Sequence, residues 1–154
     1  MPQNQGIDLI GKKILQELAA DGRLSFAELG RKVGLSPSAA AERVRQMESL
    51  GLIRGYRAEI DLQALGYTIT AFVRLTCEGN HYRQFLKFLP RLQSVQECHH
   101  LTGGDAFLLK VMLSSFAELE TLIESLLPYG SPTTSMVLST PLERRHLPEV
   151  LRNL

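Results

Sequence analysis

Apolar residues follow a helical period along the first third of the chain and an alternating one along much of the rest. Ile7, Ile10, Ile14, Leu15 and Leu18 mark a first amphipathic helix, capped by Asp8 and ended near Asp21 and Gly22. Gly11 lies inside it and costs about 1 kcal/mol relative to Ala, which tertiary packing can offset. Phe26, Leu29 and Val33 then share a face at i, i+3 and i+7. Ser25 and Glu28 are spaced as a capping box before this second helix, with Leu24 and Leu29 placed as a hydrophobic staple. Gly34 supplies the left-handed stop, and Ser36 with Pro37 an N-cap and a preorganised first helical residue. The chain therefore stops, turns and restarts within a few residues. In the third helix Ala40, Val44 and Met47 form one face, Ser38, Glu42, Arg45 and Ser49 the opposite one, and Gly51 ends it.

After Gly51 the stretch LIRGYRAEI has strand character, suited to a wing or linker strand carrying Arg54 and Arg57. Asp61 can cap a short turn closed by Gly66. From Tyr67 the period changes: Ile69, Ala71, Val73 and Leu75 alternate with Thr70, Phe72, Arg74 and Thr76, as in a half-buried strand. Tyr82, Phe85, Leu86 and Leu89 give the stripe of a helix that Pro90 should break. Val95 to Leu101 and Ala106 to Leu113 read as strands joined by Thr102, Gly103, Gly104 and Asp105, a hairpin. Ser115 and Glu118 repeat the capping-box spacing, with Phe116, Leu119, Ile123, Leu126 and Leu127 on one side of the helix that follows. A last strand runs from Thr133 to Ser139. The expected fold is α+β: an N-terminal helix-turn-helix, winged-helix-like domain at 1–60, a linker at 61–66, and a ferredoxin-like βαββαβ domain at 67–154.

The third helix suits a particular partner. A helix entering the roughly 12 Å major groove of double-stranded DNA needs small residues at its leading end, hydroxyls and N–H groups for phosphates, and long donors for base edges. The overall charge of +1 is not the footprint of a nucleic-acid binder. Residues 1–60 hold nine Lys or Arg against seven Asp or Glu, a net +2, and the remainder is at −1. Affinity must then come from local placement and from oligomerisation, with Arg31, Lys32, Arg43, Arg45, Arg54 and Arg57 as the cations. Ser36, Ser38, Glu42 and Ser49 complete the expected DNA-binding set.

Other chemistry is sparse. Hydrophobic content of 44% in 154 residues supports ordinary cores. No long apolar run suggests a membrane span and MPQNQG does not read as a signal peptide, so a cytoplasmic location is expected. Cys77 and Cys98 are too far apart for a metal knuckle or redox pair, and free thiols on strands are the expected state. There is no phosphate loop, nucleophile elbow or closely spaced His/Cys set, so neither enzyme activity nor a cofactor or metal is expected. Adjacent His99 and His100 are the exception that tempts; on a strand they point to opposite faces and cannot share a ligand.

With both halves placed, the chain resembles the Lrp/AsnC family of transcriptional regulators. Ile7-Asp8 with Ile14-Leu15 carry the resemblance, as do GLSPSAAAERVRQMESLGLIRGYRAEI from Gly34 to Ile60, QECHHLTGGDAFLLKV from Gln96 to Val111, and Thr134 to Leu138. It implies a DNA-binding regulator whose second domain dimerises, often builds octamers, and binds a small amino acid where dimers meet. Carried onto this chain, the effector site comprises Thr102, Gly103, Gly104, Asp105, Ala106 and Thr134. Backbone N–H groups of the glycines could approach an α-carboxylate, and Asp105 could receive an α-ammonium. The family usually has an acidic residue, an aromatic and a second Asp after the first glycine, where this chain has Gly104, Asp105 and Ala106. Gly11 stands where the family usually has aspartate. Two alternatives belong to the same architecture: a sirohaem-decarboxylase-like enzyme, and an amino-acid sensor that acts on a protein partner.

Overall fold

A computed structural model describes residues 7–77, 79, 81–103 and 107–142. Two compact units emerge, one of the described residues up to Glu59 and the other of Ile60–Pro141. The first is all helical, with α1 at Leu9–Ala20, α2 at Phe26–Val33 and α3 at Pro37–Ser49. Each helix begins where its side-chain cap predicts. Asp8 Oδ1 accepts from the Gly11 N–H at 2.8 Å, Ser25 and Glu28 close a reciprocal capping box, and Ser36 accepts from the Ala39 N–H at 3.2 Å. Gly34 adopts φ 78°, and the Leu35 N–H reaches back to the Gly30 carbonyl at 2.8 Å, which turns the chain from α2 into α3. The core is small: Ile14, Leu29, Val33, Ala40, Val44 and Met47, flanked by Leu15, Leu18, Leu24, Leu35 and Ile53.

The expected strand at Leu52–Ile60 is not formed. No other segment among the described residues pairs with it, and without a neighbour its backbone groups have no ladder to join. It is instead an irregular run moored to the helical unit by Ile53 against the core and by the Tyr56 hydroxyl, which donates to Glu48 at 3.1 Å.

The second unit contains β1 (Ile69–Thr76), α4 (His81–Phe88), β2 (Val95–His100), β3 (Phe107–Leu113), α5 (Phe116–Leu126) and β4 (Ser131–Met136). The four strands form one antiparallel sheet in the order β2-β3-β1-β4, the ferredoxin-like arrangement. Ala71, Val73 and Leu75 of β1 face the same side as Phe107, Leu109, Val111 and Leu113 of β3, and α4 and α5 close this core with Phe85, Leu119, Leu122 and Leu126. A register shift between Val95 and Glu97 marks a bulge in β2. Pro90 ends α4 in a single tighter turn at Leu89–Arg91.

Three expectations about the helices need correction. In the stripe of α4 only Leu86 departs, being exposed, while Phe85 is fully buried and Tyr82 and Leu89 pack half-buried on the same core. In α5 the buried line is Leu119, Leu122 and Leu126, while Phe116 and Leu127 are 69% and 59% exposed, because they sit at the two ends, beyond the sheet's cover. Glu118 does not close a capping box on Ser115; its carboxylate reaches one residue further, accepting from the Ser114 amide at 2.9 Å and hydroxyl at 2.6 Å. β4 runs from Ser131 to Met136, two residues earlier at its start and three shorter at its end than expected, with one further bond from the Val137 N–H to the Thr70 carbonyl at 2.9 Å.

The Ser114 donors hold the Glu118 carboxyl below its ordinary value of 4.5. A depressed folded value means stabilisation that is complete above the unfolded value and lost as pH falls through the folded one. The difference in melting temperature between wild type and Glu118→Gln should accordingly stay constant from neutrality to about pH 5 and close on further acidification. A difference that persists unchanged to pH 2.5 would show that the Ser114 contacts do not require the charge.

Candidate nucleic-acid interface

The buried stripe Ala40, Val44 and Met47 seats α3 on the helical core, and its opposite face lies open: Ser38, Glu42, Arg45 and Ser49 are all exposed. Ser36 and Ser38 share a hydroxyl contact of 3.1 Å at the leading end. Ser49 Oγ donates to the Gln46 carbonyl at 2.8 Å, keeping its hydroxyl along the helix. Arg45 contacts Glu42 loosely at 3.4 Å with both side chains largely in solvent, a pairing that costs little to give up. Arg31 is exposed on the last turn of α2, and Arg54 and Arg57 are exposed on the irregular run after α3.

Two predicted cations are held elsewhere. Lys32 pairs with Glu17 of α1 at 2.6 Å, and that carboxylate holds its ammonium pKa above the ordinary value. Arg43 is turned toward the start of α1, where its guanidinium donates to Asp8. The Gly11 N–H first and Arg43 second hold the Asp8 carboxyl below its usual range. Asp8 as a partner of α3 was invisible in the sequence, where it reads only as a cap; the pair spans 35 positions.

For the expected effector residues the picture is split. Thr102 and Gly103 are exposed at the end of β2, with Gly103 at φ 107°, and Thr134 lies half-buried on β4 opposite Val73. Gly104, Asp105 and Ala106 lie outside the described residues. A cleft of about 830 Å³ in the sheet unit is lined by Leu62, Leu65, Arg91, Met112, Leu122 and Ser125, among others, and takes in none of Thr102, Gly103 and Thr134.

His99 and His100 do diverge across the strand. His99 meets Glu97 at 3.2 Å, and Glu97 also meets Lys110 at 3.4 Å, while the His100 ring packs on Tyr82 and Phe107 on the helix-covered side. Among the described residues no group of three or more His, Cys, Asp or Glu is placed to hold a metal ion. Cys77 and Cys98 are free, and burial raises both thiol pKa values. No described helix is long and apolar enough to cross a membrane.

Residues 7–48 match the AsnC-type helix-turn-helix domain and residues 70–147 the Lrp/AsnC ligand binding domain. The chain belongs to the Lrp/AsnC family. Among its relatives is the HTH-type transcriptional regulator LrpC of Bacillus subtilis, 35% identical over 133 residues, covering 86% of this chain and 92% of that protein. The solved structure of LrpC superimposes with a TM-score of 0.84 at 34% identity over 89% of this chain and 98% of that one. A transcriptional regulator of Neisseria meningitidis, solved as a complex with L-Met, also gives 0.84, at 28% identity over 92% and 96% of the two chains. A feast or famine regulatory protein of Mycobacterium tuberculosis, complexed with L-methionine, gives 0.81 at 32% identity over 92% and 99%. As an Lrp/AsnC protein the chain is a helix-turn-helix transcriptional regulator, and the curated relatives matched here are regulators rather than enzymes.

Proposed function

We propose that this Lrp/AsnC regulator reads double-stranded DNA with the exposed face of α3, as a homodimer, and that a small amino acid modulates it. The observation that carries the DNA reading is the division of α3 itself. A buried Ala40, Val44 and Met47 stripe fixes the helix, and the other side offers small hydroxyl residues first and Arg45 two turns later. That is the order a major groove demands. Arg31, Arg54 and Arg57 flank it for phosphates. Two copies would present two such helices to half-sites about one helical turn, roughly 34 Å, apart.

Pairing of copies is supported by the sheet face that α4 and α5 leave open, where exposed Phe72 and half-buried Leu108 and Met112 lie among charged side chains. The domain limits 1–60, 61–66 and 67–154, assembly of dimers into octamers, and residence in the cytoplasm belong to the same proposal, as does the absence of catalysis. Relatives solved with L-methionine support an amino-acid effector. The exposed Thr102 and Gly103, lying away from the chain's own cleft, suit a site completed by a second copy. Effector binding can shift the regulator only by its differential affinity for two states.

Selection of genomic fragments by the purified protein, over a salt series and with or without pooled amino acids, tests the proposal. Recovery of a few sites, with affinity falling steeply in salt and shifting with amino acids, is the expected result. No enrichment in either arm would remove the DNA reading and turn attention to tetrapyrrole uptake, seen as visible absorption. On a recovered site, Arg45→Ala should weaken binding by about 1–3 kcal/mol with relaxed preference at one position. Arg31→Ala should weaken binding evenly across sequences. Fluorescence anisotropy on matched and scrambled duplexes separates the two, and an Arg45→Ala variant with intact preference removes Arg45 from base contact.

A further inference from the structure

We infer that Asp8 and Arg43 form a clamp that sets the rotation of α3 about its own axis, making Asp8 a positioning residue for DNA reading. The inference rests on the reading that α3 enters the groove. A single carboxylate does two tasks: Oδ1 caps α1 through the Gly11 N–H at 2.8 Å, and Oδ2 accepts from the Arg43 guanidinium. Arg43 lies at the edge of the buried stripe with its side chain 35% exposed, against 65% for Arg45, so the two arginines of α3 face different ways.

The apolar seat of α3 is a weak guide to rotation. It consists of an alanine, a valine and a methionine; apolar contact is non-directional, and methionine is the most adaptable of core side chains. A guanidinium–carboxylate contact is directional. The helices also meet closely here: a Cβ at Gly11 of α1 would lie 3.0 Å from the Met47 methyl carbon of α3. A rotation of about 20° at the roughly 5–6 Å radius of a helix's side-chain shell moves a group by about 2 Å, more than a hydrogen bond to a base edge tolerates. Exposed ion pairs add little to stability, so the clamp should act on discrimination and leave the melting temperature nearly unchanged.

The test uses the full chain. Asp8→Asn keeps a good capping oxygen and removes the charge, while the double variant Asp8→Asn with Arg43→Gln rebuilds an uncharged pair. Affinity for a selected site should fall about five- to tenfold in Asp8→Asn. Affinity for a scrambled duplex should hold steady, and the double variant should regain most of the specificity ratio. A readout free of DNA runs beside it: nuclear Overhauser contacts between the Met47 methyl and the Gly11 α-protons should weaken in Asp8→Asn and return in the double variant. If Asp8→Asn does not fold, Asp8→Ser, which also caps, replaces it. An unchanged ratio with unchanged Met47 contacts overturns the clamp. So does tighter binding to both duplexes, which would mean that Asp8 merely withholds Arg43 from phosphate. If wild type shows no preference among sequences, the DNA reading fails by itself, and the Met47 contacts still decide whether Asp8 orients α3.

Discussion

Replacing Gly30 by alanine is expected to destabilise the helical unit by about 1–3 kcal/mol and to lower DNA affinity about tenfold or more, a loss of at least about 1.4 kcal/mol. Gly30 is buried in α2, and a Cβ there would lie 2.6 Å from the Leu35 carbonyl oxygen and 3.3 Å from the carbonyl carbon and oxygen of Ser36. These are backbone atoms of the turn, and none can swing aside as a side chain does. The turn is also tied in place, because the Leu35 N–H donates to the Gly30 carbonyl at 2.8 Å. Relief requires α3 to move away from α2, which carries the proposed DNA-reading face with it. The sign is diagnostic, since Gly→Ala within an unobstructed helix stabilises by up to about 1 kcal/mol. Gly34→Ala is the comparison: that position has open space but φ 78°, so only backbone strain of about 1–2 kcal/mol is expected. Melting curves and anisotropy on one duplex check both variants. A Gly30→Ala protein that melts higher and binds undiminished would show that the turn yields easily.

Phe85→Ala should cost the sheet unit about 3–5 kcal/mol. Phe85 is fully buried, its ring 4.7 Å from that of Phe107 and 6.0 Å from that of Tyr129. It is the sole fully buried side chain of α4, so its removal opens a cavity at the centre of the contact and leaves the half-buried Tyr82 to hold this helix to the sheet. Neighbouring Leu86, 41% exposed, should change stability by no more than about 0.5 kcal/mol on truncation to alanine. Urea titrations of the two variants separate them. Equal losses would place the α4 contact across both residues and contradict the burial pattern.

The same pair of residues shows how far periodicity carries. Tyr82, Phe85, Leu86 and Leu89 all fit a helical stripe; Phe85 is fully buried, Tyr82 and Leu89 pack half-buried on the same core, and only Leu86 of the four is exposed. In α5 the spacing selected Leu119 and Leu126 correctly, took in Phe116 and Leu127 at the exposed ends, and missed Leu122, which the sheet buries. Capping was more legible, because a cap acts within three or four residues: Asp8, Ser25 and Ser36 each bond where the sequence places them. Glu118 departed by a single residue, to Ser114, a choice between adjacent donors that spacing does not resolve.

By itself the sequence determined the local elements: the caps, the glycine turn at Gly34, the alternation of β1, and the small-polar then arginine order along α3. Those features depend on neighbours within one or two turns, so the chain carries them wherever it folds. Tertiary structure alone decided which cations are paired across helices. Lys32 and Arg43 look equivalent to Arg31 and Arg45 in sequence, but the packing of α1 brings Glu17 and Asp8 against them from 15 and 35 positions away. It also left Leu52–Ile60 without a strand partner, since a ladder is a property of two segments and its other half is not supplied by this chain's described residues.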